Sequence, residues 1–156
     1  MVDVEVDFKD QIRVPATPDA AFGLVSDIYR SGIHFPSVDR LTRIDDGGRW
    51  RWQMKEKGFG PIKVRAAYDA VYSTDPSARR VSWEPPRGGG GDMDSWGSWH
   101  IEPDGQGGAL LRFHARTVAH IHAPRLMAKM VEALAREELT RLKRQYLSAI
   151  AKSLGA

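Results

Sequence analysis

The chain has 156 residues, 42 % of them hydrophobic, with a formal net charge of only +3. That length and composition allow one domain with its own core. The absence of cysteine excludes disulfides, thiolate zinc sites and cysteine nucleophiles. A pI near 9.3 arises from basic residues interleaved with acids. With no basic tail and no recognition motif, no nucleic acid is expected as a partner.

The opening "MVDVEVDFKD" is charged and alternating, so it reads as a strand and not as a secretion signal. No apolar run approaches the roughly 20 residues that cross a bilayer. The expectation is a cytoplasmic protein with at most peripheral membrane contact. Val2, Val4, Val6, Phe8, Ile12 and Val14 share one parity, which predicts a strand with one buried face up to Pro15. Thr17, Pro18 and Asp19 are an N-cap, a first-turn proline and a first-turn acid. They start a short helix with Ala21, Phe22, Val25 and Ile28 on its apolar side. Gly32 and Pro36 interrupt a second helical turn.

The middle of the chain reads as a meander of antiparallel strands. In "RWRWQMKEK", Trp50, Trp52, Met54 and Glu56 share a face. After the break "GFGP", "IKVRAAYDAVYS" places Ile62, Val64, Ala66, Tyr68, Ala70 and Tyr72 together. "RRVSWE", "SWGSWHIE" and "ALLRFHARTVAHIH" complete the run. From Pro124 the apolar period becomes about 3.6, predicting a long amphipathic helix. Its stripe runs through Met127, Met130, Val131, Leu134, Leu139, Leu142, Tyr146, Ile150 and Leu154, and it needs a sheet to cover it. The reading is one α+β domain over residues 1–156.

Four glycines, Gly88–Gly91, raise the question of a phosphate loop. Acids and a strand follow them, where such a loop needs a helix with Lys and Ser or Thr. They read as a mobile connection between two strands. Five tryptophans, four of them in strands beside apolar residues, ask for another account. On the concave face of a curved sheet they either fill the core or line a hollow that takes a small molecule.

This element order resembles the helix-grip fold of the START-related superfamily, with its birch-pollen-allergen-like and polyketide cyclase/dehydrase members. The stretches "VPATPDAAFGLVSDI", "FPSV" and "WGSWHIEPDGQGGALLRFHART" carry the likeness. "GFGPIKVRAAYDAVYSTDPSARRVSW" is similar to a hairpin of the carbon monoxide dehydrogenase G-like members. The resemblance implies a curved antiparallel sheet around the C-terminal helix, with a cavity between them. It implies carriage or sensing of a lipid, isoprenoid quinone or polyketide-like molecule, with no cofactor and no motif that transfers a catalytic role. The alternative is a polyketide cyclase/dehydrase-type lyase or isomerase. A third reading is an accessory protein docking on an enzyme or membrane.

The expected cavity residues are Phe22, Phe35, Trp52, Met54, Val64, Tyr68, Trp83, Trp99, Phe113, Met127, Met130 and Leu134. Glu56, facing the aromatics, and His100 are the candidate acid/base groups of an enzyme, although Glu56 at a strand end would meet water. Asp27 and His34 are further polar groups for a cavity mouth. His114, His120 and His122 share the more polar parity of the last strand and are expected to face solvent, without a third ligand for a metal. Arg141, Lys143, Arg144 and Lys152 form a basic helix end suited to solvent or an anionic surface.

Overall fold

The structure, a computed structural model, describes residues 1–156. Strands β1 (Val2–Val14), β2 (Val38–Arg43), β3 (Arg49–Met54), β6 (Ala67–Asp75), β7 (Arg80–Glu84), β8 (Met93–Pro103) and β9 (Ala109–Ile121) form one sheet, in the order β1-β9-β8-β7-β6-β3-β2. Every neighbouring pair is antiparallel. Strands β4 (Lys57–Phe59) and β5 (Ile62–Val64) form a separate hairpin. Helices α1 (Pro18–Val25) and α2 (Ile28–Gly32) follow β1, and α3 (Ala128–Ser153) closes the chain against the sheet. This is the helix-grip architecture, with the long helix held by a curved sheet.

Alternation in sequence becomes alternation in burial. Val2, Val4, Val6, Phe8 and Val14 of β1 are buried, as are Leu111, Phe113, Ala115, Thr117 and Ala119 of β9. Charged partners occupy the other face, where Glu5 pairs with Arg116 and Asp7 with His114. Thr17 Oγ1 accepts from Ala20 N at 3.2 Å, and Asp27 Oδ1 accepts from Arg30 N at 3.0 Å, so each short helix has a side-chain cap. No helix is long and apolar enough to cross a membrane.

Three local expectations need correction. First, the strand carrying Trp50 and Trp52 stops at Met54. The chain then leaves the sheet for the β4–β5 hairpin, so the face shared by Trp52 and Met54 does not extend to Glu56, which is exposed. Second, the glycine loop is not a free connection. Asp69 N donates to Gly90 O at 2.8 Å, Gly90 N donates to Asp94 Oδ1 at 2.7 Å, and Asp92 N donates to Ala67 O at 3.1 Å. The loop is stitched along β6 by backbone bonds that no side-chain pattern announces. A Cβ on Gly90 would lie 2.3 Å from Met93 O, so the seam needs glycine there. Third, the C-terminal helical run begins with a 3-10 turn, Arg125–Met127, in which Leu126 is fully exposed.

Candidate functional site

A cavity of about 150 Å³ lies between the concave face of the sheet, α2 and α3. Phe35, Trp52, Met54, Val64, Tyr68, Trp83, Trp99 and Phe113 line it. Trp52 and Tyr68 lie parallel, with centroids 6.0 Å apart. Phe113 meets Trp99 at 4.8 Å, Trp83 at 5.9 Å and Tyr146 at 5.9 Å. Phe35 closes the circuit against Tyr146 at 5.3 Å and Trp52 at 6.0 Å. Two of the indoles find partners within the wall: Trp52 Nε1 donates to Tyr72 Oη at 3.1 Å, and Trp83 Nε1 to Ser95 Oγ at 3.1 Å. The walls are therefore held in place without a guest. Removal from water raises the pKa of the Tyr68, Tyr72 and Tyr146 phenols, Tyr146 to about 12, so they stay protonated and can donate.

Four expected wall residues lie elsewhere. Phe22 packs, half-buried, against the main core cluster and does not line the cavity. Met127 packs, half-buried, on the cluster formed by Val2, Val4 and Ile121. Met130 and Leu134 are exposed. The reason is helix phase. The face of α3 that enters the core runs through Val131, Ala135, Leu142, Tyr146 and Ile150, and Met130 and Leu134 sit beside that line.

None of the polar candidates for the cavity lines it. Glu56 is exposed in the β3–β4 connection and does not line the cavity. His100 points to the opposite face of β8, with Nδ1 3.4 Å from Glu102. Asp27 is spent on the α2 cap, and His34 bonds Arg30 O and Ser153 Oγ. Among the three histidines expected in solvent, His122 is exposed and His114 bonds Asp7. His120 is a correction. It is half-buried beside the cavity, with Nδ1 2.8 Å from Asp3 and Nε2 2.9 Å from Asp94. These two carboxylates raise its pKa, Asp3 first.

The functional group that the sequence reading misplaced is Lys143. Far from serving a basic outer face, its side chain is buried in the cavity wall at 4 % exposure. Nζ donates to Thr117 Oγ1 at 2.7 Å. Burial brings its pKa down from 10.5 to about 8, against a weak opposing pull from Asp7. A signal for this was present: Leu139, Lys143 and Leu147 follow one another at i+4, so Lys143 sits inside the apolar stripe.

At the rim, Lys57 of the hairpin pairs with Glu138 of α3 at 2.8 Å, and Arg141 also pairs with Glu138. Burial pushes the Glu138 carboxyl up, but these two cations outweigh it and hold it below the ordinary value. The site can thus enclose an apolar body, offer one buried amine beside a hydroxyl, and hold the hairpin against α3.

The model of the family described as "Polyketide cyclase / dehydrase and lipid transport" matches residues 5–146. No curated protein sequence matches the chain. Among solved structures, the Zhui aromatase/cyclase from Streptomyces sp. R1128 is similar with a TM-score of 0.72 at 11 % identity, covering 96 % of this chain and 93 % of that one. Truncated norcoclaurine synthase from Thalictrum flavum is similar with a TM-score of 0.62 at 16 % identity, over 99 % and 96 %. TTHA0849 from Thermus thermophilus is similar with a TM-score of 0.58 at 19 % identity, over 95 % and 99 %. At such identities these likenesses speak for the fold alone. The family match spans most of the domain that builds the cavity, and the chain belongs to the polyketide cyclase/dehydrase and lipid transport family.

Proposed function

We propose that this protein binds one small hydrophobic molecule in the aromatic cavity, as a carrier or sensor, with a single polar group of the guest meeting Lys143 and Thr117. The observation that carries this reading is a hollow lined by aromatic side chains around one buried amine. Size narrows the guest. The volume of about 150 Å³ is below the roughly 300–1,000 Å³ of pockets for drug-sized ligands, and suits a body of about one or two rings. A lipid chain or an isoprenoid quinone needs the β4–β5 hairpin to move outward. The polar preference follows from cost: a guest that is apolar throughout fits the rings but gives the Lys143 amine no partner beyond Thr117, so it binds more weakly.

The test is native mass spectrometry of the purified protein, followed by denaturing extraction. A retained compound of defined mass with one carbonyl, phenol or carboxylate group is the expected result. If nothing is retained, titration with monocyclic and bicyclic aromatics should still give saturable changes in tryptophan emission. No saturation with any of them overturns the reading.

A second reading, a cyclase- or dehydrase-type enzyme, is supported by the same lysine. An amine with pKa about 8 can give and take a proton near neutrality, a role that neither Glu56 nor His100 can fill from its position. In an enzyme, replacing Lys143 abolishes turnover, while replacing Glu56 leaves it unchanged.

A further inference from the structure

Lys143 of α3 lines the same cavity as Trp99, Phe113 and Tyr146. Its only hydrogen bond goes to the Thr117 hydroxyl at 2.7 Å, and no carboxylate lies within ion-pair distance. The ionisable groups on the elements around it are otherwise engaged or neutral. On α3, Glu138 is paired with Lys57 of β4 and with Arg141. On β1, Asp7 is paired with His114 on the outer face of the sheet, and on β9 His120 is held by Asp3 and Asp94. Tyr68, Tyr72 and Tyr146 stay protonated. A permanent cation in such a place lacks a counter-charge, which is costly. A neutral amine does not, and a neutral amine is a nucleophile.

We propose that Lys143 forms a reversible imine with an aldehyde or ketone held in the aromatic cavity. The proposal deepens the binding function above and rests on it: the rings supply the apolar body of the guest, and the carbonyl carbon is its polar end. The Nζ lone pair attacks that carbon, and the C=O π electrons pass to oxygen. A proton moves from nitrogen to that oxygen, and the Thr117 hydroxyl, already bonded to Nζ, is placed to relay it. Loss of water leaves the C=N bond. Amine and carbonyl give imine and water, with no oxidant or reductant. Dry aromatic walls slow the reverse hydrolysis, and the lowered pKa leaves a useful fraction of free amine at neutral pH.

The experiment uses the intact protein, benzaldehyde as probe and cyanoborohydride to trap the imine, read by intact mass and peptide mapping. The expected product is a single adduct, heavier by the mass of benzaldehyde less one oxygen, on Lys143. It should form roughly a hundredfold faster there than on any other lysine, in proportion to the neutral fraction. Lys143→Met should give no fast adduct. Thr117→Val keeps the amine and should slow trapping about a hundredfold, the low end of what one positioned proton-transfer group contributes. Toluene binding to the wild-type protein, followed by ligand-observed NMR, reports the cavity independently. Toluene binding with adducts spread evenly over the lysines, or with none, overturns the imine and leaves the binding function standing. Benzoate binding at Lys143 without any aldehyde adduct also overturns the imine, in favour of an ion pair. Absence of both toluene and aldehyde binding overturns both readings.

Discussion

Gly97 shows how much a missing side chain decides. A Cβ at this position would lie 2.2 Å from Trp83 Cζ2 and 2.5 Å from the backbone oxygen of His114. The ring could swing away, but the backbone oxygen is fixed in the β8–β9 ladder. Glycine here allows Trp83 to lie flat across β8 and reach Ser95, which forms one wall of the cavity. Gly97→Ala should therefore destabilise the fold by about 1–3 kcal/mol, the usual cost of overpacking. It should also change the tryptophan emission. Urea denaturation checks the first, as a lower midpoint with an unchanged slope, and the emission spectrum of the native state checks the second. The glycine itself is visible in the sequence, but its role is not, because the ring it accommodates lies on the neighbouring strand.

At the scale of elements, His120 ties three segments together. Its ring joins Asp3 of β1 to Asp94 of β8, and Asp94 in turn accepts from Gly90 N in the glycine loop. Both ring nitrogens must donate, which needs the imidazolium. The folded-state pKa is raised by the two carboxylates. The stabilisation is therefore complete below the unfolded value near 6.5 and is lost as pH rises through the raised folded value. Above it, one carboxylate faces an unprotonated nitrogen. We expect the amide of Gly90 to lose hydrogen-exchange protection over that interval, after correction for intrinsic rates, while His120→Gln removes the dependence. An unchanged protection factor in the wild-type protein across the His120 titration, followed by NMR, would contradict this. Two acids and a histidine separated by many residues offered no spacing from which to read such a clamp.

For the whole molecule, the buried amine has a cost. A shift from 10.5 to about 8 corresponds to about 3 kcal/mol of native-state preference for the neutral form. Below the folded value the penalty is present in full. It fades as pH rises from about 8 to 10.5, since only the unfolded chain then binds the proton. Lys143→Met should accordingly raise the melting temperature at neutral pH, and the difference from wild type should shrink above the upper value. Calorimetry of both proteins at the two ends of that range checks it. A variant less stable than wild type at neutral pH would show that the Thr117 bond outweighs the desolvation. A stability cost kept at this position is the pattern of a functional group.

The sequence by itself determined the elements whose signals are local. The alternation of β1 and β9, the cap at Thr17 and the period of α3 each follow from residues a few positions apart. Their order was enough to reach the sheet and its long helix, and the aromatic residues on the strands pointed to a hollow. The tertiary structure alone decided which residues face that hollow. Ending β3 at Met54 left Glu56 in the water that its strand-end place already implied, while the other face of β8 took His100 away. The phase of α3 against the sheet turned Met130 and Leu134 outward and Lys143 inward. A helix period fixes which residues lie together, but the partner surface fixes which of those sets is buried. A lysine within an apolar stripe reads as surface charge until a Thr117 hydroxyl and a ring of aromatics are brought around it.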